Sequence, residues 1–229
     1  MSRILFIVTT SRTMGDGPQP TGVWLEELAV PYYAFKDAGH DVQVATLSGL
    51  AIPVDPNSDV ADADAPDAVR RFRQDADAVA ALAAPADLAR LEPERFDAVF
   101  VPGGHGVMWD LASSDRVASM LGAAWDSGAV VASVCHGPGA LVKATDGTGA
   151  PLVQGRTVSA FTDSEERGAG LDTTVPFLLE TRLRELGASF SAGEDWAPHA
   201  VQDGRLITGQ NPASSGAVAQ KVIAALAPG

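Results

Sequence analysis

Cysteine and histidine are scarce in this chain: one Cys and four His in 229 residues. A single cysteine closes no internal disulfide, and no CxxC or HExxH spacing gathers ligands for a metal. Cys135 therefore serves either packing or chemistry, and neither a metal nor another cofactor is expected. Basic residues are few as well, with 16 Lys and Arg against 29 Asp and Glu and a formal charge of -13. Such a field repels phosphate backbones and anionic lipid surfaces, which excludes nucleic acid as an expected partner. Long apolar runs are missing. The opening MSRILFIVTT has one basic residue and a five-residue apolar stretch, too short for a signal-peptide core or a membrane span, so a cytoplasmic protein with no membrane partner is expected.

What is present is a 46% hydrophobic content, enough to bury one substantial core, with no internal repeat and no Ser/Gly-rich linker to divide the chain. A single domain over residues 1–229 is the expectation. Short β-branched runs at Arg3–Thr9 and Asp41–Leu47 flank Leu25, Leu28, Ala29, Tyr32, Tyr33 and Phe35, which recur at near-helical spacing. This predicts a β-α-β unit. Pro31 falls inside the helical stretch and predicts a bend or restart close to Glu27. The segment near 55–92 is rich in Asp, Ala and Pro, with helix-compatible pieces at Asp67–Arg73 and Ala76–Ala84. It reads as a solvated helical insertion without visible chemistry.

Further strands are predicted at Asp97–Val101, Ala129–Val134, Thr157–Ala160 and Arg205–Thr208. Helices are predicted over Asp115–Ser127, Pro138–Lys143, Thr174–Leu186 and Ser214–Leu226. Strands alternating with helices along the whole chain predict an α/β fold, a mostly parallel sheet with helices on both faces in a flavodoxin-like three-layer sandwich. In such sheets ligands bind beyond the carboxyl ends of the strands.

Two strand ends run into turns of small residues, VFVPGGHG at Val99–Gly106 and VASVCHGPG at Val131–Gly139. The second gives Cys135 the strand-turn-helix setting of a nucleophile elbow, without the G-x-S-x-G pattern. At a helix N-terminus a thiol is expected to ionise more easily, and the His136 backbone N–H is placed to hold a developing oxyanion. The residues alone leave plainer readings open. A free cysteine is often a small buried hydrophobe, and a histidine after a strand can cap a helix. The pairs Glu26/Glu27 and Glu165/Glu166 fit an ordinary solvated face or a first helical turn.

The segments TGVWLEELAVPY, FVPGGHG, VCHGPG and TGQNP, in that order, resemble the ThiJ/PfpI superfamily, a class I glutamine amidotransferase-like fold. Within it they are similar to the branch of glutathione-independent glyoxalases, holding chaperones and proposed protein deglycases. The resemblance implies that Cys135 is the nucleophile, His136 the adjacent base, and Glu27, four residues before Pro31, the glutamate that hydrogen-bonds the sulfur. A carboxylate in AFTDSEE would orient the histidine; Glu166 matches better, and Glu165 stays open. Gly103, Gly104 and His105 would face the cysteine as oxyanion or pocket residues, with His105 alternatively a pocket wall. His199 is expected to pack or hydrogen-bond near Trp196. A glutaminase would carry a downstream His-x-Glu pair, which this chain lacks.

The implied activity is a cofactor-independent, D-lactate dehydratase-type lyase that detoxifies methylglyoxal or a similar 2-oxoaldehyde under stress. Cys135 would add to the aldehyde as a hemithioacetal, a proton would move through an enediol with His136 as shuttle, and water would release D-lactate. Glu27 serves this best if buried and neutral, because a charged carboxylate would repel the thiolate. The alternatives are a holding chaperone, an oxidation sensor built on Cys135, or a cysteine hydrolase acting as peptidase, esterase or deglycase. A homodimer is implied by the resemblance and by the general frequency of two-fold assemblies.

Overall fold

The computed structural model describes residues 1–227. In chain order it contains β1 (Arg3–Ile7), α1 (Leu25–Asp37), β2 (Asp41–Thr46), α2 (Asp67–Gln74), α3 (Ala76–Ala83), β3 (Ala86–Asp87), β4 (Ala98–Val101) and α4 (Asp115–Asp126). There follow β5 (Val130–Val134), β6 (Thr157–Val158), α5 (Asp163–Gly168), α6 (Leu179–Glu185), β7 (Ser189–Phe190), β8 (Ala200–Asp203), β9 (Leu206–Gly209) and α7 (Ser215–Leu226). Seven strands form one sheet in the order β3-β2-β1-β4-β5-β9-β8, parallel except for the edge strand β8; β6 and β7 pair separately.

The central strands are mostly apolar because both of their faces are covered, with Ser133 on β5 and Thr208 on β9 buried among them. Along β1, Ile4 and Phe6 enter one core while Leu5 and Ile7 enter the other. On β4, Phe100 joins the first core and Val99 and Val101 the second. This period of two splits the interior into layers above and below the sheet. The first layer is filled by α1 and α7, with Phe6 and Phe100 at 4.9 Å between ring centroids, and the second by α4. The covered parallel sheet predicted from sequence is therefore present, and it directs the ends of β4 and β5 toward a common edge.

Several local expectations differ. Helix α1 runs unbroken through Pro31. The ring removes the donor that would serve the Glu27 carbonyl, yet Leu28, Ala29, Tyr32, Tyr33 and Phe35 are all buried and hold the helix against the core. Over Thr174–Leu186 only α6 is helical; the residues before Pro176 form a turn, with the Thr174 and Val175 N–H groups donating to Leu171 O. Pro138–Lys143 contributes a five-residue 3-10 turn, Gly137–Leu141, instead of an α-helix. The insertion is docked to α1: Phe72 meets Tyr32 edge-on at 5.6 Å, and Tyr33 donates to Asp75 at 3.0 Å. Its first residues reach further inward, with Asp55 and Ser58 buried.

Candidate active site

Strand β5 ends at Val134, and Cys135 follows with φ of +59°, a left-handed conformation that is strained for any side chain but glycine. Its surroundings hold it there. The Cys135 N–H donates to Gly209 O at 2.9 Å, and the Phe161 N–H donates to Cys135 O at 2.9 Å. Strain of this kind persists where neighbours over-determine the backbone. The turn throws the side chain off the sheet edge into a cavity of about 470 Å³.

Behind the cysteine stands a hydrogen-bonded chain. Cys135 Sγ lies 3.4 Å from His136 Nδ1, and His136 Nε2 lies 2.8 Å from Glu166 Oε2. Glu166 sits in the first turn of α5, which Thr162 opens by accepting from the Glu165 N–H at 3.0 Å. Glu165, the other open candidate, is engaged elsewhere: its carboxylate accepts from the Thr162 N–H, the Trp196 N–H and Asn211 Nδ2. It anchors the loop while its neighbour meets the histidine. His199 bonds Ser191 at 2.9 Å and does not line the cavity.

Glu27 projects from the first turn of α1, is fully buried, and accepts from the Gly103 N–H at 2.6 Å through Oε2. Its Oε1 has no hydrogen-bond partner of ordinary geometry, and the Cys135 thiol lies against the same carboxyl. Glycine is required at 103, since a Cβ there would stand 2.7 Å from both Glu27 Oε2 and the His136 nitrogen. Gly104 turns the chain at φ of +91°.

Burial pushes the Glu27 carboxyl up to about 8, so it is mostly neutral at pH 7. Burial, and then Glu27, push the Cys135 thiol well above its ordinary range. This reverses the expectation of an easily ionised sulfur. The following turn is too short to act as an α-helix terminus, and the His136 backbone N–H, expected to face an oxyanion, lies against the sulfur and offsets only part of the rise. His136 is pushed down to about 4 by burial and by His105. Glu166 is pushed up by burial, but the bonds from His105 and His136 outweigh this and hold it at about 2.

The side-chain bond from His105 was not anticipated. His105 Nε2 lies 2.8 Å from Glu166 Oε1, and its ring packs on His136 at 3.9 Å between centroids. The donor atoms of His105, His136 and Glu166 all lie within 4.8 Å of one another. In this arrangement an ionised Glu166 accepts an imidazole N–H on each oxygen. Both carboxylate oxygens are thus satisfied within the set. The cavity walls also include Trp24, Leu171 and Trp196, with Asp55 and Asn57 from the insertion. Trp196 is half exposed and holds a φ of +65°.

A covered parallel sheet with a strained cysteine at its carboxyl edge, and imidazole and carboxylate behind it, defines an α/β protein of the cysteine-elbow class. Residues 20–225 match the DJ-1/PfpI family, and the chain belongs to it. It is 30% identical to the glutathione-independent glyoxalase HSP31 of Saccharomyces cerevisiae, over 92% of this chain and 91% of the relative. The crystal structure of glyoxalase III from Candida albicans superposes with a TM-score of 0.87 at 28% identity, covering 98% of this chain and 97% of that one. The rapid encystment protein of 24 kDa from Francisella tularensis superposes with a TM-score of 0.94 at 30% identity, covering 100% of each. Among the described residues no helix is long and apolar enough to cross a membrane.

Proposed function

We propose that the protein is a glutathione-independent glyoxalase that converts methylglyoxal, or a similar 2-oxoaldehyde, to D-lactate or the corresponding 2-hydroxy acid. The observation that carries this reading is the Cys135–His136–Glu166 chain opening on a cavity, with a neutral Glu27 against the sulfur. The likeness to relatives named as glyoxalases supplies the substrate class.

The charge states set the order of events. Glu166 is ionised, so His136 carries its proton on Nε2 and presents a lone pair at Nδ1 to the thiol. As sulfur attacks the aldehyde carbon, Nδ1 takes the thiol proton and Glu166 stabilises the imidazolium. The proton then passes to the former aldehyde oxygen, giving a hemithioacetal. Glu27, neutral, donates toward the sulfur without repelling it. The Gly103 N–H is occupied by Glu27, so the Gly104 and His105 amides serve as oxyanion donors. A proton shift from C1 to C2 yields a thioester, and water releases the acid and restores the thiol.

An oxidation sensor wants an exposed thiolate, whereas Cys135 is 4% exposed and held protonated. The glyoxalase reading also suits a single-domain, cytoplasmic homodimer, the setting that the family resemblance suggests. The test is incubation with methylglyoxal, without glutathione, and enzymatic determination of D-lactate. Wild type forms it and Cys135→Ala does not. No D-lactate from wild type overturns the reading and moves the search to ester and peptide substrates.

A further inference from the structure

At rest both ring nitrogens of His136 are engaged, one by the sulfur and one by Glu166. Nδ1 is 3.4 Å from the Cys135 sulfur, Nε2 is 2.8 Å from Glu166, and the side chain is fully buried. His105 differs on each count. It spends only Nε2 on Glu166, its side chain is 11% exposed, and it lines the same cavity as the cysteine. No group among the described residues hydrogen-bonds its Nδ1. Because an ionised Glu166 can only accept, the proton of a neutral His105 sits on Nε2 and the lone pair is on Nδ1.

We propose that His105 is a second catalytic base, the group that carries the substrate proton from C1 to C2, while His136 moves only the thiol proton, from the sulfur to the former aldehyde oxygen. This rests on the glyoxalase reading and divides its two proton transfers between two imidazoles that share one carboxylate. In the hemithioacetal, C1 bears the sulfur, a hydroxyl and a hydrogen, and C2 is still a ketone. His105 Nδ1 removes the C1 hydrogen as a proton, and the electron pair left behind forms the C1–C2 double bond as the C2 carbonyl π pair moves onto its oxygen, giving the enediolate. The same proton returns to C2 as the C1 hydroxyl proton passes to the C2 oxygen. The product is the thioester, with no proton or electron gained or lost and no co-reactant required. Glu166 Oε1 stabilises the His105 imidazolium as Oε2 stabilises that of His136.

The ring stack explains how this division is enforced. His105 lies 3.9 Å from His136 between centroids, and both rings line the cavity that holds the sulfur. Two imidazolium ions so close would repel, which favours protonating one at a time: the sulfur's proton leaves His136 before the carbon's proton reaches His105.

The experiment compares wild type with His105→Gln and His105→Ala by three readouts: D-lactate formation, the rate at which iodoacetamide alkylates Cys135, and native mass spectrometry with methylglyoxal. Glutamine keeps a donor for Glu166 and supplies no base. Expected are a loss of turnover of about 10²- to 10⁴-fold in both variants, unchanged alkylation, and a Cys135 adduct with the mass of one methylglyoxal, absent from Cys135→Ala. Wild-type turnover by His105→Gln overturns the proposal, since it would leave His105 a positioning residue. Loss of alkylation together with turnover also overturns it, because the effect would then lie in thiol activation. Failure of wild type to form lactate would instead count against the glyoxalase reading.

Discussion

Glu27 is a carboxyl that folding neutralises, so its replacement should change how stability depends on pH. Its folded pKa of about 8 stands above the unfolded value near 4.5. A carboxyl of this kind contributes stability that is fully present below the unfolded pKa and lost as pH rises through the folded one. His136 works in the opposite sense. Its folded pKa of about 4 lies below the ordinary 6.5, so its neutral burial costs stability in acid and that cost vanishes as pH rises toward 6.5. The two slopes oppose each other below pH 6.5, and Glu27 prevails above it. Integrating the Glu27 titration from pH 6.5 to 8 gives a loss of about 1.5 to 2 kcal/mol. Glu27→Gln keeps the size of the side chain and an acceptor for the Gly103 N–H while removing the titration. Urea unfolding followed by tryptophan fluorescence at several pH values should show the variant gaining on wild type by that amount across the window. Parallel profiles would refute the neutral buried Glu27 and, with it, the argument that it can sit against a thiolate.

Glu166→Gln removes the charge that two imidazoles share, and turnover should fall by about 10²- to 10⁴-fold in a lactate assay. In wild type the depressed Glu166 contributes stability that is present above pH 4.5 and lost as pH falls through about 2, so its variant should show a shallower acid transition by circular dichroism. Phe100→Ala empties the centre of the first core, where Phe6 and Phe35 lie at 4.9 and 5.8 Å. It should cost about 3–5 kcal/mol in urea unfolding. Trp196 walls the cavity from a strained backbone. Trp196→Ala should lower kcat/KM for an aryl 2-oxoaldehyde about tenfold more than for methylglyoxal, measured by aldehyde loss for both substrates.

The central sheet is legible in the sequence because β1, β4 and β5 are apolar runs of the length a doubly covered strand requires. β8 is not: its AVQD is half polar, as an edge strand open to solvent permits, and carries no alternation to find. Helix α5 is six residues held by a capping box and a tertiary partner, too short for periodicity to register. At the site, Cys135 and His136 stand out because a buried strand runs straight into small residues. The family resemblance favours Glu166 and leaves Glu165 open; the reason Glu165 is engaged elsewhere is visible only in three dimensions, where the Trp196 N–H and Asn211 occupy it. The elevated thiol pKa comes first from burial and then from a glutamate 108 positions away in sequence (135 less 27), and the strand-turn pattern registers neither. Separation in sequence likewise hides the contribution of Asp55 and Asn57 to the cavity.

The central claim is that Cys135 carries the substrate through turnover. It is tested most directly by rapid acid quench of wild type with methylglyoxal, followed by peptide mass mapping of the Cys135 segment in parallel with lactate determination. The account predicts an acyl adduct on Cys135, with the mass of one methylglyoxal, that forms and decays at the rate of lactate production. Undiminished lactate production by Cys135→Ala would contradict it.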